Sequence, residues 1–168
     1  MFGPQTGPIV RRATPADLPT IGRLGALLVG EHYDFDPRRF LAAGPGTPAG
    51  YASFISSQLE DPDTAVLVAD DNGDVVGYAY AAAEGYDYMA LRGPAGVLHD
   101  VIVEPEHRGR GVGRLLLDAA LEFFRSRGAP RVVLSTAERN EAAQRLFASA
   151  GFRRTMIEMT RELDDPAP

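Results

Sequence analysis

Three residue types are missing from the 168-residue chain, which has no cysteine, no tryptophan and no lysine, so that all 17 basic side chains are arginine. Without cysteine the chain can form no disulfide, no thiolate nucleophile and no cysteine-ligated zinc site. Without lysine it can form neither a Schiff base nor the phosphate-binding lysine of a P-loop. Its chemistry must therefore use arginine, histidine, tyrosine, hydroxyl groups, carboxylates or backbone amides.

Positive charge is also scarce, since the formal net charge is −6. Nucleic-acid binding usually needs a basic surface, so we expect no nucleic-acid partner. No apolar run approaches the roughly 20 residues that span a bilayer, and Met1 to Val10 lacks the basic and apolar regions of a signal peptide. The sequence therefore predicts a cytoplasmic location and no membrane contact.

The length favours a single domain over residues 1–168, with a core at about 9–162 and loose ends at 1–7 and 164–168. Hydrophobic periodicity predicts an α/β fold with one mixed central sheet flanked by helices, in the order β-α-α-β-β-β-α-β-α-β. Asn72 and Gly73 predict a hairpin turn. The predicted strands are 9–13, 64–69, 75–83, 96–103, 131–135 and 153–162; the predicted helices are 14–30, 51–60, 111–127 and 138–150, with irregular stretches at 31–40 and 44–50.

A glycine-rich loop follows the strand predicted at 96–103 and opens the long helix after it. The free amides and the dipole of a helix N-terminus favour an anion. One interpretation is a pyrophosphate cradle; the alternative is a glycine-rich turn with a frayed helix start. The loop matches neither a P-loop nor a dinucleotide fingerprint. Its glycines and arginines alternate as Arg108, Gly109, Arg110, Gly111, Gly113 and Arg114.

The hexamer Arg108-Gly109-Arg110-Gly111-Val112-Gly113 resembles the Arg/Gln-x-x-Gly-x-Gly/Ala signature of the GNAT superfamily of N-acetyltransferases. The order of elements is also similar, so the resemblance covers roughly residues 9–162. It implies a sheet with splayed central strands, acetyl-CoA as the acyl donor, no metal and, as a family expectation, a homodimer. A second similar segment, the family's Asn-x-x-Ala-x-x-Leu-Tyr-x-x-x-Gly-Phe, is matched by Asn140, Ala143, Leu146, Phe147, Gly151 and Phe152.

The resemblance also implies which residues hold acetyl-CoA. The backbone of Val101, Ile102 and Val103 would pair with the pantetheine arm as an added strand does, although these residues can equally be core strand. The amides of residues 108–113 would hold the pyrophosphate, with Arg114 beside them. Asn140 would contact the CoA chain, and Phe147 would lie near the thioester.

Acyl transfer to an amine needs a base and a donor to the oxyanion. His99 is the first choice for the base, because imidazole titrates near neutrality; the alternative is a buried, hydrogen-bonded strand histidine. The amide of Val101 is the family-like oxyanion donor. Strand alternation predicts that Asp100 lies on the opposite sheet face from His99, in a structural role. Glu84, Glu31 and His32 are lesser candidates for the base.

Phe147 departs from the family, which has a tyrosine acid at this position. A phenyl ring cannot donate a proton, so either Tyr33, Tyr86 or Tyr88 reaches the sulfur or the thiolate leaves with help from water. A thiol pKa of about 8.5 makes the thiolate a tolerable leaving group. Because there is no cysteine, a ping-pong route is closed, and we predict direct transfer in a ternary complex.

Two predicted connecting segments mix acids with aromatic rings, which suits a cationic amine through charge pairing and cation–π contact. We therefore predict a small cationic acceptor: a polyamine, an aminoglycoside-like sugar or an amino-acid derivative. Ordinary loop composition is the alternative. Two other functions stay open, acetylation of a protein N-terminus or lysine and a non-catalytic acyl-CoA-binding module. The predicted acceptor residues are Glu31, His32, Tyr33, Asp34, Glu84, Tyr86 and Tyr88.

Overall fold

The computed structural model describes residues 7–164, and the predicted loose ends at 1–7 and 164–168 lie almost entirely outside this range. Two short 3₁₀ turns, Pro15–Asp17 and Pro105–His107, precede two of the helices. The strands are β1 (Ile9–Arg12), β2 (Thr64–Asp71), β3 (Asp74–Glu84), β4 (Ala95–Val103) and β5 (Val132–Leu134); the helices are α1 (Leu18–Phe35), α2 (Thr47–Ser56), α3 (Val112–Ser126) and α4 (Glu141–Ser149).

The five strands form one mixed sheet in the order β1-β2-β3-β4-β5. The first four pair antiparallel, and β5 pairs parallel to β4. The hairpin between β2 and β3 turns at Asn72 (φ 56°) and Gly73 (φ 97°), both in the left-handed region that a type I′ turn requires. The predicted turn and the α/β fold with one flanked sheet are confirmed.

Helices cover both faces of the sheet. On one face α3 and α4 bury an apolar cluster that includes Leu116, Phe124 and Phe147. On the other face α1 packs Ile21 and Leu24 onto the sheet, together with residues of α2. None of the helices within residues 7–164 combines the length and the apolar character that crossing a membrane requires.

The helix boundaries differ from the sequence prediction by up to five residues; the second helix, for example, ends at Ser56 and not at residue 60. The first helix continues five residues past Gly30 to Phe35, because its last turn packs the His32 ring edge-on against Phe40 at 5.0 Å, and tertiary packing outweighs a polar sequence pattern. The second begins at Thr47 and not at residue 51. Pro48 in its first turn fixes a backbone angle that suits a helix start.

The strand predicted at residues 153–162 does not form. No strand is assigned to these residues in the described part of the chain, and the apolar side chains of Met156 and Met159 are 77% and 88% exposed. Ion pairs from Arg39 to Glu158 and from Arg38 to Glu162 hold the segment. Alternation in a sequence marks a segment able to pair but does not supply the neighbouring strand edge.

The run Thr14-Pro15-Ala16-Asp17 is typical of a capped helix start, and a capping box at Thr14 and Asp17 joins β1 to α1. The Thr14 amide donates to Asp17 Oδ2 at 2.7 Å, and both terminal nitrogens of Arg11 donate to the same carboxylate at 2.8 and 3.0 Å. The Arg11 hydrogen bonds lower the pKa of Asp17 to about 2. A buried carboxylate that stays ionised in this way stabilises the fold above its ordinary pKa.

We expect Asp17→Asn to lower the free energy of unfolding by about 1–2 kcal/mol at pH 7. The loss should shrink as pH falls from about 4 towards 2, because the wild-type carboxylate is itself protonated there. Thermal denaturation of both proteins between pH 7 and pH 2 measures this. Asp63→Asn, which removes an exposed partner of Arg127, is the control and should change stability little. An equal loss at every pH would contradict the assignment.

Candidate active site

The β4 and β5 strands stay paired for only three residues. The paired residues are Gly96 with Val132, then Val97 and Leu98 with the next two of β5, and β4 runs on to Val103 without a neighbour on that edge among the described residues. The Glu104 amide bonds to Val76 of β3. Because successive residues of a strand direct their amides to opposite edges, Val101 and Val103 present theirs to the open edge.

A β-bulge in β4 displaces His99. Tyr80 of β3 lies opposite Asp100, but Ala81 lies opposite Leu98, so His99 is the extra residue. His99 stacks on Tyr80 at 5.0 Å between ring centroids, and Asp100 accepts a hydrogen bond from Tyr78. Both tyrosines pack in the cluster under α1 and α2. The prediction that Asp100 faces away from His99 is therefore wrong, because the bulge breaks the alternation.

A cavity of about 350 Å³ opens where the two strands separate. Its walls come from α1 on one face of the sheet and from α4 on the other, so two ligands entering from opposite faces could meet beside β4. The lining residues are Leu28, Val29, His32, Arg39, Phe40, Leu41, Leu98, His99, Asp100, Val101, Leu134, Ser135, Thr136, Asn140, Ala143 and Phe147.

A chain of charged groups holds the His99 ring. His99 Nε2 lies 2.7 Å from Glu84 Oε1, and the other oxygen of Glu84 accepts from Arg92 at 2.5 Å. With Nε2–H donating to the carboxylate, a neutral ring carries its lone pair on Nδ1. That atom has no hydrogen-bond partner within residues 7–164. The site thus contains an oriented imidazole able to accept a proton.

The Asp100 carboxylate accepts hydrogen bonds from two tyrosines. Tyr51 and Tyr78 both donate to Oδ2, at 2.9 and 2.8 Å. Burial raises the pKa of Asp100, and the two hydroxyl hydrogen bonds offset this only in part. Gly25 of α1 makes the arrangement sterically feasible, because a Cβ there would come within 2.2 Å of the Tyr51 ring.

The glycine loop adopts a conformation that turns its backbone sharply. Gly109 and Gly111 have φ angles of 73° and 83°, and Gly111 is the N-cap of α3. The Arg108 guanidinium donates to the Val103 carbonyl at 2.8 Å and to Glu31 at 2.5 Å, so this side chain fastens the loop to β4 and α1. The first amides of α3, including those of Val112 and Gly113, have no carbonyl partner in their own helix.

The other predicted donor-side residues lie around this loop and the cavity. Arg114 donates to Asp118 at 2.8 Å, whereas Arg110 is exposed and forms no ion pair with any residue of 7–164. Asn140 caps α4 by accepting from the Ala143 amide at 3.1 Å, which leaves its NH₂ group for the cavity. Phe147 lines the cavity from α4 and packs on Phe152.

Most of the predicted acceptor residues do not line the cavity. Of that set only His32 lines it. Tyr86 and Tyr88 stack on each other and are 71% and 81% exposed, and Tyr33 and Asp34 are also exposed. Glu31 binds Arg108 and Glu84 orients His99, as described above. The sequence did not identify Tyr51 and Tyr78 as site residues, because their positions in α2 and β3 are typical of the core.

Residues 25–152 match the model of the acetyltransferase (GNAT) family. The chain therefore belongs to the GNAT acetyltransferase family, whose members use acetyl-CoA as the acyl donor. The resemblance inferred from the two sequence segments is confirmed, as is the fold it implied. The identity of an acceptor does not follow from membership, since one fold serves many substrates.

The names of individual relatives refer to different acceptor molecules. The chain is 42% identical to mycothiol acetyltransferase of Thermobispora bispora over 97 residues, 55% of this chain and 31% of that protein. It is 30% identical to the N-alpha-acetyltransferase RimI of Mycobacterium tuberculosis over 139 residues, 80% of this chain and 78% of that protein. It matches the L-amino acid N-acyltransferase MnaT of Escherichia coli at 34% over 91 residues, 52% of this chain and 49% of that protein. The match thus covers about a third of the length of the mycothiol acetyltransferase and about half of the length of MnaT.

Solved structures share the fold. The BH1408 protein of Bacillus halodurans, in a tetramutant form, superposes with a TM-score of 0.80 at 22% identity, covering 92% of this chain and 99% of that one. A predicted acetyltransferase of Clostridium acetobutylicum, solved with acetyl-CoA, gives a TM-score of 0.72 at 15% identity, covering 93% and 96%.

Because its pKa is raised on folding, Asp100 binds protons more readily in the folded state, and its contribution to stability falls as pH rises through that pKa. We expect Asp100→Asn, which keeps an oxygen for both tyrosines, to raise the melting temperature at pH 7. The gain should vanish as pH approaches 4. Thermal denaturation over this range tests it, with Glu122→Gln, an exposed partner of Arg125, as the control. A destabilised Asn variant at pH 7 would contradict the expectation.

Proposed function

We propose that this protein transfers the acetyl group of acetyl-CoA to a primary amine of a small, cationic acceptor by direct attack in a ternary complex. The observation that carries the proposal is the cavity at the separation of β4 and β5, which reaches both faces of the sheet and holds His99 beside the open edge of Val101. Donor and acceptor could then meet without a covalent enzyme intermediate, for which the chain has no cysteine.

On the donor side, the open edge of β4 at Val101 and Val103 can pair with an extended amide chain as a neighbouring strand would. The first amides of α3, with the exposed Arg110, can bind the pyrophosphate through the helix dipole and charge. The free NH₂ group of Asn140 can donate to the same chain from α4. The Val101 amide would donate to the carbonyl oxygen on which negative charge develops.

On the acceptor side, His99 takes a proton from the amine through Nδ1, while Glu84 fixes the tautomer and stabilises the imidazolium that forms. Phe147 offers no proton to the departing thiolate, and neither Tyr33, Tyr86 nor Tyr88 lines the cavity. Water therefore protonates the sulfur, a step that a thiol pKa of about 8.5 makes feasible.

Acetylation of a protein N-terminus is the second candidate, favoured by the match to RimI over 80% of this chain. The two activities differ in the acceptor they require. A protein substrate must extend out of the cavity along the surface, whereas a small amine need not. A non-catalytic acyl-CoA-binding module would bind the donor and transfer nothing.

The first test combines binding and turnover. We expect acetyl-CoA to bind with a dissociation constant in the micromolar range by calorimetry, and free thiol to be released with small primary amines faster than with peptides bearing a free N-terminus. No binding at tens of micromolar would overturn the donor assignment. Binding with no thiol release across polyamines, aminoglycosides, amino acids and peptides would favour the non-catalytic module.

The second test concerns the base. His99→Gln should lower kcat by about 10²-fold or more, the usual contribution of a positioned base, and should leave the affinity for acetyl-CoA unchanged. Glu84→Gln should lower kcat less, because it disorients the ring without removing it. Tyr86→Phe, at an exposed position away from the cavity, is the matched control. Wild-type kcat in the His99 variant would exclude His99 as the base.

A further inference from the structure

The fold partly buries the Asp100 carboxylate and gives it no cationic partner within residues 7–164. Its Oδ2 accepts from Tyr51 and Tyr78, but within residues 7–164 its Oδ1 accepts no hydrogen bond, and the residue lines the cavity. None of the ion pairs found among these residues includes it. Removing a carboxylate from water is unfavourable unless a cation compensates its charge, and two neutral hydroxyls compensate only part of this cost.

The groups that face Asp100 come from each element around it. Tyr51 lies on α2, Tyr78 on β3, His99 beside it on β4, and His32 on α1. An asparagine would satisfy both tyrosines at a lower desolvation cost, so the hydroxyls alone do not account for a charged residue at this place. A cation bound from the cavity side would account for it.

The walls next to Asp100 indicate what carries that cation. Leu28 and Val29 of α1, with Phe40, form an apolar surface on the same side of the sheet. Arg39, the one arginine lining the cavity, is engaged by Glu158. This part of the cavity therefore combines one unpaired carboxylate oxygen with an apolar wall, which fits a single ammonium group on an apolar body better than a polycation.

We propose that Asp100 binds the protonated amine of the acceptor through Oδ1, and that the acceptor is a primary ammonium attached to an apolar group. The inference rests on the proposed function and narrows its acceptor class. Tyr51 and Tyr78 are positioning residues that hold the carboxylate towards the cavity. The bulge places His99 on the same face, so the ammonium bound by Asp100 lies next to the base that deprotonates it.

The test compares two probes that differ only in charge. Benzylamine carries an ammonium at pH 7, and benzyl alcohol carries a neutral hydroxyl on the same ring. We expect calorimetry with the wild-type protein, free and saturated with CoA, to show at least tenfold tighter binding of benzylamine. Asp100→Asn should reduce this preference to less than twofold, and Glu122→Gln should preserve it. CoA itself cannot acetylate the probe, so binding is measured without turnover.

The outcomes separate this inference from the proposed function. A wild-type protein without the ammonium preference, or an Asp100→Asn variant that keeps it, would overturn the role of Asp100. Failure to bind CoA in the same titrations overturns the donor assignment alone, since the probes are also measured on the free protein. If the Asn variant does not fold, the affinity of the wild-type protein for benzylamine must still decrease as the pH is lowered and Asp100 gains a proton. The affinity for benzyl alcohol must stay constant over the same range.

Discussion

The separation of β4 from β5 after three paired residues is the constraint on which the rest of the site depends. A sheet that stayed paired to the end of β4 would have its backbone groups saturated and its two faces isolated. Once the strands part, one edge of β4 offers free amides and the gap becomes a cavity that α1 and α4 both line. In the proposed function, donor and acceptor therefore reach one strand from opposite faces.

The bulge at His99 adds a second constraint on the same strand. A single extra residue rotates the chain so that an imidazole and a carboxylate, adjacent in sequence, share one face. One is oriented by Glu84 and Arg92, and the other by Tyr51 and Tyr78. Neighbouring side chains on a regular strand would lie on opposite faces and could not act on one amine.

The glycine loop and the cavity divide the chemistry between backbone and side chains. In the proposed function the amides at the start of α3 bind the phosphates, since the chain has no lysine and Arg108 holds the loop to Val103 and Glu31. In the proposed function His99 is the base, since Glu84 orients its ring beside the cavity, and Phe147 supplies no acid. In the proposal for Asp100, a partly buried carboxylate lowers stability in exchange for binding, a trade-off that functional sites commonly show.

Sequence alone determined what depends on local pattern: the strand and helix order up to α4, the turn at Asn72-Gly73, the capping box at Thr14 and the two family segments. The sequence alone did not predict the bulge at His99, because no residue pattern indicates it. The bulge determines the face of the sheet on which Asp100 lies. Nor could the sequence show that residues 153–162, although patterned as a strand, form none. Only the tertiary structure brings Tyr51 and Tyr78 to one carboxylate and places Tyr86 and Tyr88 at the surface. Contacts between residues far apart in the chain are decided by packing, whereas turns, caps and periodicity are decided by neighbours in sequence.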